Sequence, residues 1–348
     1  MNALFSGQDV GAGDFFGTFL LVVATVLLFA LASQPPRITA SQWQSVAKGL
    51  RFSVYVIAVL SVLQVIAGAA GSESFFNPWG DRQYLYRYQP LLQFNAVPRA
   101  HGFFLEPSFC AFVVGTVFFT LVVLRAVNWL VVVSVAATLA ATRSATALAL
   151  MLILLLVAAI MVRRARLFSL IAVVFLVLGV GEELHRRFTS IGDVSSSGNY
   201  RLLAPLPVLE DVLIHRPLGA PMGSVEETLS RYDLLNGAAV GTSLDNGFYL
   251  LIFYFGVVGI GFILALCLLA AIVFVRLRRL GLTLGALVPF WMLGSLAFSG
   301  GIFLPEYVLL NILLVLAIRH RLAGPTCATQ PRIPSSPLSQ SRFATRMA

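Results

Sequence analysis

Two polar stretches of this sequence contain the residues best suited to chemistry. The first stretch is Arg99-Ala100-His101-Gly102-Phe103-Phe104-Leu105-Glu106-Pro107-Ser108, which ends where a long apolar run begins. Arg99 and Glu106 pair a group that binds anions with a group that exchanges protons. Glu106 also has a structural interpretation, because a carboxylate followed by proline favours the first turn of a helix. From these residues alone, both interpretations of Glu106 stay open.

The second stretch opens with Asn199-Tyr200-Arg201 and continues through Glu210, Asp211 and His215-Arg216-Pro217-Leu218-Gly219. Apolar residues alternate here with charged ones, which predicts a helix lying along a membrane surface. His215 is either a base or a solvated or capping residue, and Arg201 is either an anion ligand or a lipid-headgroup anchor.

Farther along, Asp245-Asn246 precedes Gly256-Val257-Val258-Gly259. Asp245 is a candidate base, although a carboxylate at this position also suits a helix N-cap. Small residues such as Gly256 and Gly259 allow close packing of membrane helices.

The elements that carry these residues are predicted to be membrane helices. Of the 348 residues 58% are hydrophobic and 11% charged, and the mean hydropathy is +0.89. Lipid offers the backbone no hydrogen-bond partners, so apolar runs of about 17 to 25 residues must be helical. We predict an all-α membrane protein with about nine spans, near residues 15–32, 51–70, 108–124, 127–142, 144–162, 167–181, 249–275, 282–299 and 302–318.

Charge placement predicts the orientation of these spans. If the N-terminus is outside, the inside segments, with Arg51 at their edge, hold fifteen of the 24 basic residues. All fifteen acidic residues then lie outside. Since basic residues concentrate on the cytoplasmic side, this arrangement predicts an external N-terminus and a cytoplasmic C-terminus. The same rule explains the net charge of +9 without a nucleic-acid partner.

The predicted organisation is one membrane domain, residues 1–323, followed by a disordered basic cytoplasmic tail, 324–348. Its two large loops, about 71–107 and 182–248, both face the external side, where loops on a rigid scaffold can carry function. The spans place no charged residue near their centres, and Gln64 is the most polar group there. A transporter coupled to ions usually keeps ionisable groups in that region, so coupled transport is disfavoured.

These features together resemble the superfamily of O-antigen ligases and Wzy-type polysaccharide polymerases, which are similar to GT-C-like membrane glycosyltransferases. The resemblance covers residues 99 to 260. It rests on the Gly102–Ser108 segment, the turn at Thr142-Arg143-Ser144, the loop with Arg201 and His215–Gly219, and the spacing from Asn246 to Gly259. Asp245 stands where ligases carry histidine, which favours the polymerase branch. Nine spans are fewer than the usual ten or more, which suggests a shorter variant or a chain lacking its first helices.

The resemblance implies polymerisation of polyprenyl-diphosphate-linked repeat units into an exopolysaccharide or O-antigen at the outer face of the bacterial inner membrane. An O-antigen-type ligase and a non-enzymatic flippase or permease are the alternatives. Diphosphate is a good leaving group, so cations matter more than a general acid. Arg143 is the first candidate for that role, followed by Arg99, Arg201 and Arg216, while Glu106, Asp245 and His215 are candidate bases. We expect no metal or cofactor. The expected partners are the lipid-linked glycan, the bilayer, and a chain-length regulator and flippase of the pathway.

Overall fold

The computed structural model describes residues 12–32, 38–72, 99–104, 107–144, 202–231, 246–282, 285–297 and 305–322, with Val174, His185, Thr189, Asn199 and Leu244. Across these residues the fold is helical and contains no strand. The helices are α1 (Ala12–Ala32), α2 (Ala40–Ala69), α3 (Pro107–Val123), α4 (Trp129–Thr142), α5 (Leu206–His215), α6 (Val225–Arg231), α7 (Gly247–Arg279), α8 (Val288–Ala297, after a 3-10 turn at Gly285–Leu287) and α9 (Pro305–Leu322).

The prediction of an all-helical, membrane-compatible fold is confirmed. Two helices, α2 and α7, are long and apolar enough to cross a membrane, and several shorter helices are also apolar. Seven of the predicted spans lie on α1–α4 and α7–α9. Apart from Ser144 and Val174, the spans at 144–162 and 167–181 fall outside the described residues, as do most of the first external loop, a large part of the second and the tail. The count of nine spans therefore stays a prediction.

The start of α2 differs from the prediction, because this helix begins at Ala40 and not near residue 51. Thr39 and Gln42 form a capping box, in which the Thr39 side chain accepts a bond from the Gln42 N–H and the Gln42 side chain accepts one from the Thr39 N–H. This pairing satisfies amide groups that a helix start otherwise leaves open. Hydropathy could not predict this start, because the first turns of α2 contain polar residues.

The helix core is built around the α3 backbone. Gly115 of α3 lies against the Trp291 ring of α8, and a Cβ at this position would overlap the ring. The Trp291 Nε1 donates to the Thr116 hydroxyl at 3.1 Å, so the indole is fixed both by packing and by a hydrogen bond. Phe112 and Phe119 flank the same ring. This tight contact holds α8 against α3 at mid-height.

The bundle has two chemically different ends. At the first, which we call the basic end, α2 and α4 start and α3, α7 and α9 finish. Arg321 of α9 donates to the Val123 and Leu124 carbonyls at 2.9 and 2.7 Å, and Trp43 of α2 stacks on His320. Among the described residues of this end the charged groups are all basic: Lys48, Arg51, Arg125, Arg276, Arg278, Arg279, Arg319 and Arg321.

The opposite end, which we call the site end, is where α2 and α4 finish and α3 and α7 start. Gly247 at the start of α7 packs against Leu296 near the end of α8. The short helices α5 and α6 bury Val208, Leu209 and Leu229 with Phe253 from the first part of α7. Every candidate site residue that the structure describes lies at this end.

Candidate functional site at the end of the helix bundle

A single buried side chain fixes the first candidate stretch. The Gln64 Oε1 atom accepts hydrogen bonds from the N–H groups of His101 and Gly102, at 3.1 and 2.8 Å. Its Nε2 atom donates to the Gly102 carbonyl at 2.9 Å. Gly102 has a φ of +61°, a conformation that favours glycine. The polar group noticed in the middle of a predicted span therefore holds the site segment in place.

Arg99 is built into the end of α4. Its side chain is buried, and its Nε atom donates to the Thr142 carbonyl at 3.0 Å. The neighbouring Ala100 N–H donates to the Ala141 carbonyl at 2.9 Å. The last carbonyls of a helix lack partners within the helix and carry partial negative charge, so a cation is favourable there. Arg99 thus joins the site segment to α4.

Arg143 directly follows Thr142 and caps α4 in the left-handed conformation, with φ 48° and ψ 35°. Glycine usually fills this position, because a side chain costs about 1 to 2 kcal/mol there. Its N–H donates to the Leu139 carbonyl, but its guanidinium makes no hydrogen bond or ion pair with any residue that the structure describes. The sequence therefore keeps an available cation at a strained position beside Arg99.

His101 was not among the sequence candidates, although it lies between Arg99 and Gly102. Its side chain is buried, and its Nδ1 atom lies 2.8 Å from the Phe104 carbonyl oxygen, to which it donates. The Phe104 N–H donates to the His101 carbonyl at 3.0 Å, which closes the turn. Burial lowers the pKa of His101, so the neutral ring is favoured. The role of His101 here is to stabilise the segment.

Helix α7 is interrupted at Gly256, where φ is 55° and ψ is −130°. A Cβ on Gly256 would overlap the Pro217 carbonyl oxygen, and a Cβ on Gly219 would overlap the Tyr254 carbonyl. These glycines therefore allow a helix backbone and a loop backbone to touch. The spacing from Asn246 to Gly259 and the Pro217–Gly219 motif, which were separate features of the sequence, are two halves of one contact.

The loop supplies the hydrogen bonds that the helix loses at the break. The Val257 N–H donates to the Pro217 carbonyl at 2.9 Å, and the Ala220 N–H donates to the Phe253 carbonyl at 2.7 Å. Backbone groups freed inside an apolar helix are tolerated where protein satisfies them. The broken helix therefore anchors the segment that carries His215 and Arg216.

His215 and Arg216 lie at the end of α5. The His215 Nδ1 atom is 2.9 Å from an Asp211 carboxylate oxygen, and 68% of its side chain is exposed. A carboxylate that accepts from Nδ1–H fixes the orientation of the ring and directs Nε2 away from Asp211. Arg216 is partly buried, and its N–H donates to the Val212 carbonyl at 2.7 Å. The structure thus adds Asp211 as a partner of His215.

Three of the predicted site residues, Glu106, Arg201 and Asp245, lie outside the described residues. The suggestion that Asp245 caps α7 is wrong, because the N-cap is Asn246. The Asn246 Oδ1 atom accepts from the N–H groups of Phe248 and Tyr249, at 3.0 and 3.3 Å. The side-chain amide oxygen of Asn246 thus caps the first N–H groups of α7, the role that the sequence had suggested for the Asp245 carboxylate.

The described candidates fall into two groups. Arg99 and Arg143 are brought together by Thr142, whereas His215 and Arg216 sit on the unit formed by α5 and the α7 break. Chemically, the first group offers cationic donors for an anion, and the second offers an imidazole paired with a carboxylate. Gln64 and Gly256 position these groups, although neither was predicted from the sequence as a site residue. In the sequence, Gln64 is a lone polar residue in a span and Gly256 a small residue suited to helix packing.

Two comparisons with known proteins both point to colanic acid polymerases. Part of the chain is similar to an Escherichia coli (strain K12) protein named "Putative colanic acid polymerase", with 30% identity over 149 residues. This match covers 41% of the chain and spans 36% of the length of that relative. No solved structure matches the chain. The model of the WcaD colanic acid polymerase family matches residues 1–320, and the chain belongs to this family.

Proposed function

We propose that this protein polymerises polyprenyl-diphosphate-linked oligosaccharide repeat units at the outer face of the bacterial inner membrane. Membership of the WcaD colanic acid polymerase family supports polysaccharide polymerisation in general. The site end supports the chemistry, because it combines the Arg143 guanidinium, which has no partner among the described residues, with the oriented imidazole of His215. A multi-pass protein whose site end faces outward is the arrangement that brings these groups to the carrier lipid.

The orientation is supported by the separation of charge between the two ends. The described charges of the basic end are all arginines and one lysine, whereas the described acids Glu210, Asp211, Glu226 and Glu227 lie on α5 and α6. Basic residues are retained on the cytoplasmic side of a membrane. This separation supports the proposed orientation, in which the site end faces outward.

In the proposed reaction, an acceptor sugar hydroxyl attacks the anomeric carbon of the donor glycan. A new glycosidic C–O bond forms, the bond between that carbon and the carrier diphosphate breaks, and the diphosphate leaves with the electron pair. Arg143 binds the departing diphosphate, with Arg99, Arg201 and Arg216 as further cations. The hydroxyl proton passes to a base, for which Glu106, Asp245 and His215 are the candidates.

The observation that carries this proposal is that Arg143 has a left-handed backbone and a guanidinium without a partner among the described residues. A residue in a strained conformation that is retained without a structural partner is a reason to suspect function. Arg125 offers a direct comparison, because it has the same left-handed backbone, with φ 56°, but lies at the basic end after α3. Two arginines with one conformation thus differ mainly in the side of the bundle that they occupy.

The experiment compares Arg143→Gly with Arg125→Gly in cells that lack the native protein. Glycine suits both positions, so neither variant strains the fold. We expect Arg143→Gly to insert normally while single lipid-linked repeat units accumulate and long polymer disappears, whereas Arg125→Gly makes normal polymer. The readout is the size profile of lipid-linked glycan on a gel, with protein abundance measured in membranes.

Other outcomes point to the alternatives. Long polymer that is made but not attached to its final acceptor would identify a ligase. Normal polymer in the Arg143→Gly cells would remove the role of this arginine and favour a flippase or permease without glycosyl transfer.

A further inference from the structure

An open apolar groove of about 340 Å³ runs along one side of α2. Its volume falls within the range of about 300 to 1,000 Å³ that is usual for ligand clefts. The lining residues are Tyr55, Val56, Val59, Leu60 and Leu63 of α2, together with Phe103. The α2 positions recur at helical spacing and form one stripe, about 12 Å long at about 1.5 Å per residue.

The groove is continuous with the candidate site. Phe103, which is 47% exposed, lines the groove and directly follows Gly102, the residue held by Gln64. Gln64 itself follows Leu63, so a single turn of α2 both lines the groove and fixes the site segment. Above the groove the segment leads back to Arg99, and below it the stripe descends to Tyr55, which bonds Asn128 near the basic end. Only a few residues of chain thus separate the apolar groove from the arginines at the end of α4.

We propose that this groove binds the first isoprene units of the donor's polyprenyl chain, an inference that rests on the proposed function. In a polyprenyl diphosphate the anionic head is joined directly to one branched apolar chain. A head held by Arg143 beside Arg99 must therefore leave its chain at the top of the hydrocarbon layer, where the groove starts. A single stripe with an open side suits one such chain, which can enter laterally from the bilayer.

The test fills the groove without touching the cations. Val59→Trp adds a large ring to the exposed floor, where Val59 is 61% exposed, and Val62→Trp places the same ring on the same helix outside the groove. The purified variants are reconstituted in vesicles and given repeat units on a long polyprenyl diphosphate or on a carrier with a single isoprene unit. We expect Val59→Trp to raise KM about tenfold for the long carrier only, the effect of denying burial to a few methyl groups.

The control variant Val62→Trp is expected to behave as the wild type with both carriers. An unchanged KM of Val59→Trp for the long carrier, or an equal loss with both carriers, would overturn the assignment of the groove to the chain. Absence of polymer from the wild-type protein with either carrier would instead count against the proposed function.

A second measurement reports on the groove independently of catalysis. A polyprenyl diphosphate carrying a photoreactive group in its first isoprene unit should label the peptide that contains residues 55–63. Unlabelled polyprenyl diphosphate should abolish the labelling, and phosphatidylglycerol should not. Equal competition by phosphatidylglycerol would show a general lipid surface and would contradict the proposal.

Discussion

At the scale of single residues, a few buried polar side chains decide the geometry of the site. Gln64 makes three hydrogen bonds to the backbone of His101 and Gly102, and Arg99 makes one to Thr142. Buried backbone groups are costly to leave without partners. The site segment is therefore held by the Gln64 side chain of α2 and by the side chain of its own Arg99, which bonds the end of α4.

Replacement of Gln64 should release this segment. We expect Gln64→Leu to destabilise the protein by about 3 kcal/mol, because it leaves two buried N–H groups and a carbonyl without partners. The measurement is thermal unfolding in detergent together with polymer formation in cells. Ser53→Ala is the matched control, since the Ser53 hydroxyl of the same helix donates to the Gly49 carbonyl one turn earlier and to no other described residue. Equal stability of both variants would show that the Gln64 contacts contribute little.

His101 should make the segment sensitive to acid. Burial lowers its pKa in the folded protein, so the unfolded chain binds the proton more readily. The stabilising contribution is fully present above the unfolded pKa of about 6.5 and declines as the pH falls through the folded pKa. We therefore expect thermal stability to decrease below a pH of about 6.5.

The control for this pH dependence is His101→Asn, whose side-chain amide retains a donor near the Nδ1 position but does not titrate. Its stability should vary less with pH over the acidic range. An identical acid profile of the two proteins would assign the effect to another group.

At the scale of elements, the break in α7 is the feature that organises the second group of site residues. The backbone conformation of Gly256 is one that residues with a side chain rarely adopt, and its Cα touches the loop that follows α5. Backbone groups of the break and of the loop donate hydrogen bonds to each other, so neither backbone conformation would be satisfied without the other.

We expect Gly256→Ala to detach this loop. The methyl group would clash with the Pro217 carbonyl and force a strained backbone, at about 3 kcal/mol or more. Hydrogen exchange at the Ala220 N–H should accelerate and polymer should be lost. Gly261→Ala is the matched control, because nothing lies within 4 Å of the Cβ built on Gly261. Slow exchange at Ala220 in the Gly256→Ala protein would show that the contact survives.

Most of the described spans could be predicted from the sequence, because hydropathy reports directly on the solvent that surrounds a membrane helix. The start of α2 could not, since its first turns are polar and depend on the Thr39 capping box. Gly256 was predicted to serve helix packing, whereas its conformation depends on a loop nearly forty positions away. The contacts of Arg99 likewise depend on tertiary structure. The residue types thus predicted which side chains could act at the site, but not the tertiary contacts that fix their positions.

At the scale of the whole molecule, the two ends differ in charge as well as in the residues they hold. The basic end is tied together by Arg321, which caps the last carbonyls of α3 and stays beside Arg125. At the site end, Gln64 makes hydrogen bonds to His101 and Gly102, and the break in α7 contacts the loop that follows α5. A substrate bound to one face of the membrane therefore meets a surface unlike that of the other face.

Cysteine labelling can test this orientation. After the three native cysteines are replaced by serine, Leu218→Cys places a thiol at the site end and Leu280→Cys one at the basic end, at positions 65% and 48% exposed. A membrane-impermeant maleimide added to spheroplasts should label only the first protein, and permeabilised cells should allow both to react. Labelling of Leu280→Cys in intact spheroplasts would reverse the proposed topology.

The position of the break along α7 also sets a height. Residues 257–279, after the break, measure about 35 Å at about 1.5 Å per residue, slightly more than the hydrocarbon layer of about 30 Å. The part of α7 after the break is thus long enough to cross the bilayer alone, and in the proposed topology the part before Gly256 extends beyond the hydrocarbon layer. In that topology, the length of α7 after the break sets how far the Pro217–Ala220 loop stands above the lipid. One helical turn added to or removed from it would raise or lower the loop by about 5.4 Å with nearly the same rotational setting of the helix.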